Sequence, residues 1–273
     1  TNCVALKGAD GTTYTNKKTS KDYAHYGTGG LLTSAKLYAT VSDTDSDGHY
    51  DAMTLLCAGP KPDGGYEYNK DYSEWVPDYI YITSVTTDSS CQYYPGTTLD
   101  NLFLSFARLE TLDLTPFNTS AVTSMNGMFY SCLALKTIYV GAGWNTDNVT
   151  KSTQMFDRCT ALVGQDGTTF TDGNDDKTYA HYGTGGYLTS VKLYATVDGT
   201  TMTLKCATTT PDGSQTYSTG TSWAEWKEAN CETVTTVTID ESCKFYPGTT
   251  LANLFSGLES AKSFSGLAFL PYA

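Results

Sequence analysis

Residues 112–132 read Leu112-Asp113-Leu114-Thr115-Pro116-Phe117-Asn118-Thr119-Ser120-Ala121-Val122-Thr123-Ser124-Met125-Asn126-Gly127-Met128-Phe129-Tyr130-Ser131-Cys132. Leu112 and Leu114 flank a polar residue, the alternation that puts side chains on one face of a strand. Val122, Met125, Phe129 and Cys132 follow at intervals of three and four, the spacing of one helix face. The stretch recurs: Phe117-Asn118-Thr119, Val122-Thr123, Met128-Phe129 and Cys132 return 27 residues later as Trp144-Asn145-Thr146, Val149-Thr150, Met155-Phe156 and Cys159. The lattice also runs backward, since Phe103, Phe106, Leu109, Leu112 and Leu114 stand 26 residues before Phe129, Cys132, Leu135, Ile138 and Val140. Such a period predicts an α/β-type solenoid whose coils of 26–27 residues each make one strand and one short helix around a shared core.

A longer duplication surrounds these repeats. Residues 5–41 and 161–197 align without a gap at 26 of 37 identical positions, too many for chance. Both copies carry Lys-x-Tyr-Ala-His-Tyr-Gly-Thr-Gly-Gly, at residues 21–30 and 177–186, and they meet again at residues 91–103 and 243–255. Each copy predicts a strand pair, residues 34–41 with 53–58 and residues 190–197 with 202–207, the second joined at Asp198-Gly199. A short helix is expected over residues 222–228, capped by Ser222. Ile80, Ile82 and Val85, and again Val234, Val237 and Ile239, are expected to return the chain to the repeats as strands. The domain reading is a β-rich insert over 1–79, with residues 1–6 the tail of a preceding repeat, and coils over 80–165. A second insert over 166–232 and a further coil or cap over 233–273 complete it.

The quoted run resembles the repeat of BspA-like leucine-rich-repeat surface proteins of bacteria. The resemblance is full over about residues 99–165, with weaker echoes at 80–98 and 234–264. It implies a leucine-rich-repeat fold, an exported and surface-displayed protein, and a role in adhesion or protein binding. Two departures loosen it: Gly141-Ala142-Gly143-Trp144 replaces Thr115-Pro116-Phe117, and Ser152 stands where Met125 stood.

Composition narrows the function classes. The net charge is −12 and only Arg108 and Arg158 are arginines, which argues against nucleic acid and anionic membrane surfaces. No stretch approaches the roughly 20 apolar residues that span a bilayer, and the N-terminus lacks a basic-then-apolar signal, so a trimmed or mature piece of an exported protein is expected.

Several residues could carry chemistry. In the loop from Asp43 to Asp51, Asp43, Asp45, Asp47 and Asp51 occupy positions one, three, five and nine with Gly48 at six. Alternate residues on a tight turn can converge their oxygens on Ca2+. Thr54 replaces the acid expected at position twelve, and a solvated hairpin loop explains the same residues. His25 and His181 sit in the duplicated Gly-rich turn, where packing competes with a ligand role; the run lacks the setting of a phosphate cradle. Cys3, Cys132 and Cys159 share one core slot, while Cys57 with Cys91 and Cys206 with Cys243 are duplicated together and are open to either bridging or burial as thiols. Trp75, Trp144, Trp223 and Trp226 could stack on sugars or pack internally. The outward strand residues, Ser84, Thr86, Asp88, Thr111, Asp113, Thr115, Thr137 and Tyr139, form the expected binding face.

The expected function is a non-catalytic cell-surface binding or adhesion scaffold that recognises a host or neighbouring-cell protein, with a carbohydrate-binding accessory module of a larger exported protein as the alternative. An enzyme is disfavoured, because three histidines without a neighbouring nucleophile setting offer no recognisable machinery.

Overall fold

In the computed structural model, residues 35–71, 75–217 and 231–271 are described. The first Gly-rich turn with His25, the expected helix with Trp223 and Trp226, and residues 1–6 with Cys3 lie outside them. The first strand pair forms as β1 (Lys36–Ser42) and β2 (Ala52–Ala58), antiparallel with Lys36 opposite Ala58. Met53, Leu55 and Cys57 alternate inward, as a half-buried strand requires. β3 (Tyr66–Glu67) flanks β1, and β4 (Ser84–Thr87) runs parallel beside β2, giving the order β3-β1-β2-β4. The repeats supply β5 (Thr111–Leu114) and β6 (Thr137–Val140), and β7 (Thr189–Ser190) completes a parallel three-stranded sheet.

The second copy rebuilds the first hairpin as β8 (Lys192–Asp198) and β9 (Thr201–Ala207), turned at Gly199, whose φ is 58°. β10 (Gln215–Thr216), β11 (Thr236–Ile239) and β12 (Ser263–Ser265) extend it in the order β10-β8-β9-β11-β12. One core runs from Leu37 to Leu188 and a second from Val191 to Leu270.

The expected α/β-type leucine-rich-repeat solenoid is not what forms. Among the described residues the strands form three separate sheets, two of them mixed, and the longest helical pieces are the five-residue 3-10 turns Ser89–Tyr93 and Glu241–Phe245. Backbone conformation explains the difference. Asn101, Gly127 and Gln154 have φ of 61°, 57° and 57°, and Ser105, Ser131 and Arg158, four residues on, have φ of 62°, 62° and 64°. Left-handed residues at that spacing interrupt any α-helix. Alternate amides close short turns, such as Tyr130 N to Gly127 O at 3.0 Å and Cys132 N to Phe129 O at 3.2 Å. The intervening amides reach the next repeat: Gly127 N to Thr153 O at 3.0 Å, Phe129 N to Met155 O at 2.9 Å and Ser131 N to Asp157 O at 2.8 Å. Successive turns thus place Met125, Met128, Phe129 and Cys132 on one buried face, mimicking helical spacing without a helix.

That face builds an aromatic column. Phe103 stacks on Phe129 at 5.8 Å and 2°, and Phe129 on Phe156 at 5.3 Å and 14°. Phe106 and Tyr187 close the two ends edge-on. Cys132 and Cys159 fill one recurring slot, each thiol donating to a carbonyl of the preceding repeat, Phe103 O and Phe129 O, at 3.0 Å. The departure at Gly141 also has a cause: a Cβ there would lie 2.4 Å from Thr115 O and 2.9 Å from Phe245 O, where the second copy closes on the repeats. Trp75 and Trp144 are structural, their indole nitrogens donating to Leu102 O at 2.9 Å and Ala180 O at 3.0 Å.

Candidate functional site

Strand alternation sorts the predicted face. The inward residues Leu112, Leu114, Ile138 and Val140 are fully buried, which turns their neighbours outward. Ser84, Thr86 and Thr111 are exposed, and Asp113, Thr137 and Tyr139 are half-buried. Two members do other work. Asp88 caps the turn Ser89–Tyr93 by accepting from Ser90 N at 2.8 Å, and the hydrogen bonds from Ser90 hold its carboxyl below the usual carboxylate range. Thr115 is only 8% exposed, so it leaves the face; it follows β5 where Pro116 turns the chain, and its amide donates to Asp113 Oδ1 at 2.8 Å.

Two grooves flank the remaining residues. The first, of about 530 Å³, separates β4 from β5 and is lined by Ser84, Arg108, Glu110, Thr111 and Asp113. Arg108 lies 4.6 Å above the Tyr81 ring, and Glu110 pairs with Lys136 at 2.7 Å, so the charged rim is held in place. The second groove, of about 540 Å³, runs along β6 and β7 to β8 and presents Thr137, Tyr139, Gln165, Thr189, Lys192, Tyr194 and the run Thr208-Thr209-Thr210. Tyr194 and Thr210 share a hydrogen bond at 3.3 Å, and Gln165 Oε1 accepts from Ser190 N at 3.0 Å. Only Thr137 and Tyr139 of this groove were expected, because the pairing of Tyr139 with Thr189 joins segments 50 positions apart. The duplicated Thr189-Ser190 was the available signal.

The acidic loop is split by its own hydrogen bonds. Carboxylate oxygens of Asp43, Asp45 and Asp47 lie within 4.8 Å of one another. Asp51 instead accepts from Thr44 N at 2.8 Å and Thr44 Oγ1 at 2.5 Å, which lowers its pKa, and Thr54 is held in β2 opposite Thr40. The expected four-carboxylate set is therefore three carboxylates and a strap.

The second Gly-rich turn is architectural in its backbone. Gly183 and Gly185 have φ of 87° and 80°, and a Cβ on Gly186 would lie 1.9 Å from His181 O. Asp166 Oδ2 accepts from Gly185 N at 2.9 Å and its other oxygen from Thr168, which holds its carboxyl at about 2. His181 is exposed, with Nδ1 3.1 Å from Tyr182 O. His49 lies in the acidic loop, stacked on Tyr81 at 3.9 Å.

Residues 96–177 match the family described as "Mycoplasma protein of unknown function, DUF285". No curated protein and no solved structure matches the chain. Among the described residues no helix is long and apolar enough to cross a membrane. The matched span holds the stacked 26–27-residue repeats, and what it shares with the family is this repeat region, without a leucine-rich-repeat fold.

Proposed function

We propose that this chain is a non-catalytic binding scaffold of the bacterial cell surface that recognises a protein through the outward face of β4, β5 and β6. The observation that carries the reading is the pair of open grooves, the second of them lined mostly by polar side chains, that flank strands with a buried inner face. Thr111, Thr137 and Tyr139 project from β5 and β6, whose inward neighbours are buried, and Ser84 from β4, whose inward Val85 is half-buried, so most of the face is ordered before it meets a partner. Surface display is supported by the family match over the repeats and by the resemblance of residues 112–132 to bacterial surface proteins. The thiols of Cys132 and Cys159 are buried and pushed up, Cys159 to about 12, which keeps them protonated and poor nucleophiles.

A glycan partner is the second reading, favoured by the second groove, whose Tyr139 ring and threonine hydroxyls suit a sugar. Binding of the labelled chain to host cells separates the two. Loss after protease treatment of the cells, with retention after glycosidase treatment, is the expected result; the reverse pattern assigns the groove to glycan, and no saturable binding under either treatment refutes the scaffold.

A further inference from the structure

Four cysteines occupy two matching arrangements. In the first copy, Leu55 O accepts the Asp88 amide at 2.8 Å, Cys57 N donates to Ser90 Oγ at 3.0 Å and Cys91 N donates to Asp88 O at 3.0 Å. In the second, Leu204 O accepts the Asp240 amide at 2.9 Å, Cys206 N donates to Ser242 Oγ at 3.0 Å and Cys243 N donates to Asp240 O at 3.0 Å. Each arrangement clamps a hairpin strand to the 3-10 turn that follows it and holds its two cysteines, free thiols in this structure, together in one buried cluster beside that clamp. Both pairs are shielded from solvent, with no member more than 7% exposed.

Burial alone does not require this pairing. A buried thiol is a weak donor, and Cys132 and Cys159 show what a solitary one does here, each bonding a main-chain carbonyl. Cys91 finds Leu55 O only at 3.6 Å. Neighbouring positions have drifted between the copies, Leu56 to Lys205 and Gln92 to Lys244, while both cysteines of each pair persist.

We propose that Cys57–Cys91 and Cys206–Cys243 each form a disulfide that staples the hairpin of its copy to the following turn. The oxidant is a disulfide, small-molecule or protein-borne. A cysteine thiolate attacks it to give a mixed disulfide and expels one thiolate. The second cysteine, deprotonated, attacks the mixed disulfide, forms the protein S–S bond and expels the other. The two protein sulfurs give up two electrons, the oxidant's S–S bond takes them, and the two protons end on the released thiols. The partner cysteine and, next, burial push the Cys91 and Cys206 thiols up, so closure belongs to folding, before the hairpin seals the pair, and the finished bridge is shielded from reductant. The assignment holds whichever partner the outward face binds.

The test is oxidative refolding of the full chain from its reduced, denatured state in a mixture of oxidised and reduced glutathione, followed by alkylation and peptide mass mapping. The expected result is cross-linked peptides joining Cys57 to Cys91 and Cys206 to Cys243, with Cys132 and Cys159 alkylated only after unfolding. Protein refolded under dithiothreitol should melt several degrees lower, because each open loop of about 35 residues regains its freedom in the unfolded chain. The double variant Cys57→Ala/Cys91→Ala should retain only the second bridge. Recovery of both members of either pair as free thiols after oxidative refolding, or cross-links between the copies, overturns the proposal, and the wild-type map decides even where the variant does not fold.

Discussion

Replacing Phe129 by alanine tests the aromatic column at its centre. Phe129 is fully buried, with Phe103 on one face at 5.8 Å and Phe156 on the other at 5.3 Å. Truncating a buried phenylalanine costs about 3–5 kcal/mol, and the upper part of that range applies where the cavity walls cannot collapse. Here the walls are two rings held in register by inter-repeat hydrogen bonds, Phe103 N to Met128 O at 2.8 Å and Phe129 N to Met155 O at 2.9 Å. Loss of two ring pairs, about 0.5–1.5 kcal/mol each, acts in the same direction. Phe129→Ala should therefore lose about 4 kcal/mol or more, roughly a third or more of the stability of an ordinary domain. In urea unfolding followed by fluorescence or circular dichroism, the midpoint should fall by about 1.5 M at a slope of roughly 2.5 kcal/mol/M. Leu133→Ala, at a side chain 49% exposed, is the control and should stay within about 0.5 kcal/mol. A Phe129→Ala protein within about 1 kcal/mol of wild type would refute the column as a structural spine.

Other positions give independent checks. Gly141→Ala should lose about 1–3 kcal/mol in the same denaturation assay, because its Cβ would meet backbone oxygens of Thr115 and Phe245 that cannot rotate away. The fully buried Thr119 donates from Oγ1 to Asn145 O at 2.7 Å and accepts there from Asn145 N at 2.6 Å, so Thr119→Val should cost about 1–3 kcal/mol by stranding both groups of the half-buried Asn145. Asp166 has a folded-state pKa of about 2 against an ordinary 3.8, so the stability it contributes is complete above 3.8 and is lost as pH falls towards 2. Asp166→Asn should flatten that limb of the stability–pH profile, whereas an unchanged slope would show that the straps to Thr168 and Gly185 contribute nothing.

The sequence made the repeat legible down to single residues, because burial is periodic whatever backbone carries it. Phe103, Phe129 and Phe156 stack at the predicted interval, and Leu112 with Ile138 and Leu114 with Val140 face each other in β5 and β6. The helix was misread because intervals of three and four are also produced by consecutive turns. Ser105, Ser131 and Arg158 adopt left-handed backbone that their residue types do not announce, and at Ser105 and Ser131 inter-repeat hydrogen bonds offset its cost of roughly 1–2 kcal/mol each. Alternation accounts for the exposure of Ser84, Thr86 and Thr111 and the half-burial of Asp113, Thr137 and Tyr139, whereas Thr115 is buried just beyond the end of β5. The far wall of the second groove was not legible, since Gln165, Lys192 and Tyr194 reach it through pairings distant in sequence.

Equilibrium binding of the labelled chain to host cells, measured for wild type, Thr111→Arg/Thr137→Arg and Ala121→Arg, tests the outward face most directly. Thr111 and Thr137 are opposite one another on β5 and β6, whereas the exposed Ala121 lies outside those strands. The double variant should bind about tenfold more weakly or worse, a loss of at least about 1.4 kcal/mol, while Ala121→Arg binds as wild type does. Equal isotherms for wild type and the double variant would contradict the assignment of β4, β5 and β6 as the recognition surface.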